Sequence, residues 1–147
     1  MKFFKRQNGF TFVELLLVLS ILVVLTAVIL PYSEKKLGQI TEEDALKAFM
    51  AAVHEVQLYA ITHEEDVRLY FSNGRTRYSA YNRQSVLIVS GQFPEGMARA
   101  ENTDLKELYF QPSGMMNPTG EMTIRTKYSG PIKITFQFER GRMLING

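Results

Sequence analysis

The 147-residue chain contains no cysteine. A disulfide framework and a thiolate metal site are both excluded, while the redox compartment stays open, because a cysteine-free chain is permitted on either side of a membrane. Charge is almost missing from one long stretch. From Phe10 to Leu30, 21 residues hold a single charged side chain, Glu14. Catalytic signatures are missing as well: there is no phosphate-cradling glycine loop, no zinc-ligand spacing and no nucleophile elbow. His54 and His63 lie nine residues apart, which does not set two helical ligands on one face. With Glu55 and Glu64 they read as a solvated helix face. No catalytic residue, metal site or cofactor is expected, and the chain does not read as an enzyme.

What is present begins with the apolar run. Its 21 residues make a helix of about 32 Å, which matches a hydrocarbon core of about 30 Å. Lys2, Lys5 and Arg6 precede it, so a cleavable secretory signal is the competing reading. Such a signal calls for an apolar stretch of about 7–15 residues and a small-x-small cleavage site. This run is longer and closes in "ILPYSEKK" with no such site. An acid near the bilayer centre costs roughly 2.5–3.5 kcal/mol on insertion scales. Glu14, one turn in, escapes part of that cost and still wants a partner.

Pro31 is expected to end or kink the apolar helix, since it lacks an N–H and clashes with the carbonyl four residues back. Gly38 is a second weak point. "TEEDALKAFMAAVHEVQLYAITHEED" then reads as an amphipathic helix. Thr41 and Asp44 have capping-box spacing, and Glu42, Glu43 and Asp44 suit a positive helix N-terminus. Leu46, Phe49, Met50, Val53, Val56, Ala60 and Ile61 recur at helical spacing and form one core-facing stripe.

After Asp66 the period becomes two. "VRLYFS" turns Val67, Leu69 and Phe71 inward, Asn73-Gly74 signals a hairpin, and "RTRYSAYN" returns. "SVLIVS", "MTIRTKY" and "IKITFQFE" are further strands, the last with Ile132, Ile134, Phe136 and Phe138 inward. Gly141 turns it into "RMLI". The stretch from Gly91 to Gly120 reads as loop with one strand, "LKELYF". The expected class is α+β: one long N-terminal helix, half transmembrane and half amphipathic, packed on an antiparallel sheet. Charge is divided too. From Glu34 to Asp66 eight acids face three bases, whereas from Val67 to Gly147 six acids face eleven. Within "NGRTRYSAYNRQ", Arg75, Arg77 and Arg83 interleave with Tyr78 and Tyr81. Phosphate attraction plus base stacking makes this a candidate weak DNA surface. The alternative is a charge-decorated strand edge that blocks edge pairing.

The opening segment, "KRQNGFTFVELL", resembles the class III signal of type IV pilins and pseudopilins. The family pattern is a basic leader, a glycine, an aromatic start to the mature chain, and a glutamate five residues after the cut. Here these are Lys2, Lys5 and Arg6, then Gly9, Phe10 and Glu14. The resemblance implies cleavage after Gly9 by a prepilin peptidase and N-methylation of Phe10. It also implies that Glu14 meets the N-terminal amine of a neighbouring subunit during assembly. Glycine suits the cut because it lets the backbone approach the peptidase closely. The basic leader stays cytoplasmic, leaving a single-pass chain with its C-terminal domain outside and later at the cell surface. The implied layout is a leader over residues 1–9, a transmembrane and filament-core helix over 10–30, an amphipathic helix over 31–66 and a β-rich region over 67–147.

The tail is similar to the closing region of minor pseudopilins, carried by Phe110, Gly114, Gly120, Gly141 and Arg142. That likeness is fuller for Gram-positive competence systems than for type II secretion. The implied partners are other pilins or pseudopilins, the peptidase, a pilus assembly ATPase, a polytopic platform protein, membrane lipid before assembly and, more weakly, DNA.

Overall fold

The computed structural model describes residues 11–137 and 143–146. The chain divides after Leu37 into two compact units. In the first, the described chain from Phe12 onward is helix alone. It belongs to helix α1, Phe12–His63. Pro31 therefore does not end the helix, and Gly38 lies within it as well. A proline removes one hydrogen bond, whereas the turns on either side keep theirs, and extending an existing helix is far easier than nucleating one. The expected start at Thr41 is corrected in the same way. Glu42, Glu43 and Asp44 sit in mid-helix, away from any terminal dipole. At its far end α1 stops with Glu64 in the left-handed region at φ 52°. The Glu65 N–H then closes back on the Ala60 carbonyl at 3.2 Å, a Schellman-type ending.

Among the described residues, the second unit holds the rest of α1 and eight strands. They are β1 Val67–Ser72, β2 Arg77–Asn82, β3 Leu87–Gln92, β4 Ala98–Arg99, β5 Leu108–Phe110, β6 Gly120–Arg125, β7 Ile132–Phe136 and β8 Met143–Asn146. The single expected sheet is two, both antiparallel, in the orders β3-β2-β1-β5 and β4-β6-β7-β8. Periodicity finds strands without naming their partners, so it could not separate them. The looped stretch after Gly91 holds β5 as expected, and β4 in addition. Phe138, Glu139, Gly141 and Arg142 lie outside the described residues.

One core joins the helix to both sheets. Leu46, Phe49, Val53, Val56 and Ala60 are buried as the helical spacing predicts, against Val67 and Leu69 of β1 and Met122, Ile124, Ile134 and Phe136 of β6 and β7. Ala52 joins this face, and Ile61 does not. At 3.6 residues per turn Ile61 points about 100° from Ala60, enough to leave it 46% exposed. At the centre, Phe49 packs against Phe71, Tyr78 and Phe93 with ring centroids 5.9, 5.1 and 5.5 Å away.

Candidate assembly segment and surface sites

Thr11 opens α1. Its Oγ1 accepts the Glu14 N–H at 3.2 Å, and its carbonyl accepts the Leu15 N–H at 3.1 Å. Thr11 is thus the N-cap and Glu14 the third helical residue, so "TFVE" has the spacing of a capping box. The sequence carried this signal beside the charge anomaly. Glu14 gains a local reason for its place, an acid in the first turn of a helix. Every residue from Phe12 to Tyr32 is exposed. Helix α1 is long and apolar enough to cross a membrane, and none of its most apolar window is buried. The serine and threonine hydroxyls in this stretch are satisfied internally: Ser20 donates to the Leu17 carbonyl at 2.8 Å, and Thr26 to Leu22 and Val23 at 2.9 Å each. That is what a lipid-facing helix requires, because hydrocarbon offers no partner. Lys2, Lys5, Arg6, Gly9 and Phe10 lie outside the described residues.

A second acid on the same helix behaves differently. Glu42 is 2% exposed. Its Oε1 accepts the N–H groups of Lys127 at 2.6 Å and Tyr128 at 3.0 Å; its Oε2 accepts the Ser129 N–H at 2.9 Å and the Ser129 hydroxyl at 2.7 Å. Burial pushes this carboxyl up, but the Ser129 hydroxyl and the three backbone donors outweigh burial and hold it below its ordinary value. Glu42 ties α1 to the β6–β7 loop. The signal in the sequence was its position one turn before Leu46, at the head of the buried stripe.

The five residues of the candidate DNA surface do not form one patch. The hairpin has four turn residues, with Asn73, Gly74 and Arg75 at φ 50°, 66° and 70°. Arg75 therefore sits in the turn, with a guanidinium nitrogen 3.3 Å from Glu101. Arg77 donates to the Gln92 side chain at 3.3 Å. Tyr78 is 5% exposed, packed on Phe49 and lying across Gly91, its partner on β3. It cannot stack on a base. Tyr81 faces out near the opposite end of β2, and Arg83 pairs with Asp66 at 3.4 Å. The alternation that makes β2 a strand sends Tyr78 inward and splits the arginines between its two ends. Among the described residues, no group of three His, Asp or Glu is placed to hold a metal ion.

Against known proteins, residues 4–30 match the family described as the prokaryotic N-terminal methylation motif. The type IV minor pilin FimU of Pseudomonas aeruginosa superposes with TM-score 0.58 at 14% identity, over 80% of this chain and 93% of that one. The minor pseudopilin EpsH of the Vibrio cholerae type 2 secretion system gives 0.54 at 13%, over 72% and 96%. The fold is the pilin fold. No curated protein matches the chain by sequence.

Proposed function

We propose that this chain is a minor pseudopilin, a membrane-anchored subunit that is cut after Gly9 and built into a type IV pilus-like filament. The observation that carries the reading is the union of a methylation motif over residues 4–30 with the pilin fold in one chain. Residues 1–9 are the cytoplasmic leader, 10–30 the membrane-spanning and then filament-core helix, and the remainder one domain outside the membrane. Prepilin peptidase frees the Phe10 amine, which is N-methylated and keeps its positive charge. An ATPase and a platform protein drive the subunit from lipid into a filament beside other pilins. There Glu14 pairs with a neighbour's amine, in a low-dielectric setting where the attraction between opposite charges is strongest.

The finer assignment is a competence pseudopilin of the ComGD kind, serving DNA uptake during transformation, and it is supported by the tail pattern from Phe110 to Arg142. A type II secretion or other pilus subunit shares the same assembly chemistry. Loss of transformation with intact secretion on deleting the gene supports the competence assignment, and the converse moves it to secretion. For the subunit itself the test is processing. Co-expression with prepilin peptidase should shorten the chain by nine residues and leave an N-methylated Phe10 detectable by mass spectrometry. Gly9→Val should block the cut, since a β-branched side chain obstructs backbone approach. A wild-type chain left at full length by an active peptidase ends the reading.

A further inference from the structure

The outer face of the first sheet carries a groove of about 560 Å³, within the usual range for ligand sites. Its floor is a row across three strands. Arg68 on β1 stands opposite Tyr81 on β2 and Tyr109 on β5, so the two tyrosines lie about 10 Å apart by strand spacing. Tyr70 follows two residues along the same face. Asp66 and Arg83 close one end, paired at 3.4 Å.

Scattered surface tyrosines on a sheet need no explanation, because they are good strand formers. Tyr109 is held in place. The Arg68 guanidinium lies 5.1 Å from its ring centroid. Asp66, Arg68, Tyr70 and Tyr109 line the groove together. Tyr70 and Tyr81 remain 40% and 36% exposed, so ring faces are available to a ligand.

Charge selects the ligand class. Arg68 and Arg83 are opposed by Asp66, by Glu107 near Arg68, and by Glu65, whose carboxylate holds the Asn82 and Gln84 side chains at 3.1 and 3.3 Å. No cationic surplus remains, whereas binding a phosphate chain requires one. A purely apolar ligand would leave the guanidinium and carboxylate groups desolvated without partners. A molecule with flat C–H faces and many hydroxyls satisfies both requirements: its faces stack on tyrosine rings, and its hydroxyls bond carboxylate and guanidinium in their planes.

We propose that this groove binds a neutral saccharide chain, stacked on Tyr70 and Tyr81 and hydrogen-bonded by Asp66, Arg68 and Arg83. The site is independent of assembly and would be presented wherever the domain is displayed. The test titrates the full chain in detergent with maltohexaose, chitohexaose and a thymidine oligonucleotide, following saturation-transfer NMR and tyrosine fluorescence. At least one sugar should bind. Tyr81→Ala should weaken it about tenfold, the scale of losing one stacked ring. Tyr81→Phe should keep most of the affinity, and Lys133→Ala on the second sheet should change nothing. Absence of sugar binding at millimolar concentration overturns the proposal, as does sugar binding that Tyr81→Ala leaves intact. Oligonucleotide binding abolished by Tyr81→Ala, with neither sugar bound, replaces it with a single-stranded nucleic-acid surface. No filament is required, so either failure leaves the assembly reading standing.

Discussion

From Phe12 to Leu37, helix α1 buries nothing: Val13, Val23 and Val28 are 71%, 66% and 68% exposed. From Gly38 to His63 the same helix buries Phe49, Val56 and Ala60 completely. Both stretches share one backbone geometry, and they differ in what covers their side chains. The second is amphipathic, and its own sheets cover the apolar stripe. The first, as far as Leu30, is apolar all round but for Glu14, the pattern of a helix enclosed by lipid or by other helices. Each half also carries an informative acid. Glu14 sits in an exposed first turn, and Glu42 is sealed among backbone donors. The two halves should therefore fail in opposite ways when mutated.

The largest contrast comes from Glu14→Ala set against Phe49→Ala. Losing the Phe49 ring empties the centre of the aromatic cluster and should cost about 3–5 kcal/mol, a large part of a typical domain's stability. Urea melts should shift strongly, and the protein should be degraded in cells before any assembly defect is visible. Glu14→Ala should leave the urea midpoint and cleavage after Gly9 unchanged while excluding the subunit from sheared filaments, because a neighbour's amine is left unpaired. Glu14→Gln should fare little better, since an amide cannot neutralise. The alanine variant at wild-type levels in sheared filaments would sink the assembly role of Glu14.

The second contrast is between the two acids themselves. Glu42→Gln replaces an acceptor with a group that turns N–H toward N–H at one oxygen position. Removing charged hydrogen bonds of this kind should cost about 1.5–3 kcal/mol. The pH dependence has a definite sign. The Glu42 carboxyl is held below its ordinary value of 4.5 in the folded chain. Its contribution is therefore full above the unfolded value and disappears as pH falls through the lower folded value. Urea midpoints of wild type and Glu42→Gln should lie well apart at neutral pH and converge in the acid range below 4.5. Glu14→Gln, in an exposed first turn, should leave the urea midpoint where it is. A constant Glu42 gap across that range would mean that shape, not charge, holds the loop.

The contrast between the halves also explains what the sequence made legible. The apolar run, the five core positions from Leu46 to Ala60 and the strands after Asp66 all announce themselves through a period, because burial on one face repeats with the backbone. Glu42 does not. An acid at an otherwise apolar position looks like solvent decoration until the Lys127–Ser129 backbone, more than eighty residues later, is known to converge on it. The same non-local pairing hid the split into two sheets. Tyr78 was misread for a different reason. Composition gave "RTRYSAYN" the character of an Arg/Tyr surface, but the two-residue period already pointed Tyr78 inward, and Gly91 opposite leaves the space its ring fills. The "TFVE" cap, by contrast, is legible in the sequence, because both of its partners lie within four residues.

The smallest effect tests how tightly the second half is held. In an exposed helix interior, Gly→Ala stabilises by about 1 kcal/mol. Gly38 is not free to gain this, because a Cβ there would overlap the ring of Tyr128. Tyr128 belongs to the loop that Glu42 holds, and its own N–H donates to that carboxylate at 3.0 Å. Pushing the ring away costs about 1–3 kcal/mol by the usual measure of overpacking, so the substitution should lower stability by roughly 1 kcal/mol once the helix gain is subtracted. The loss should also depend on Glu42. Once Glu42→Gln has loosened the loop, Tyr128 can move more easily, and the second mutation should cost less. The double variant should fall short of the sum of the single losses by about 0.5 kcal/mol or more in a urea double-mutant cycle. A Gly38→Ala midpoint above wild type would show that the ring yields freely. Strict additivity would show that the glycine contact and the carboxylate tether act on the loop independently.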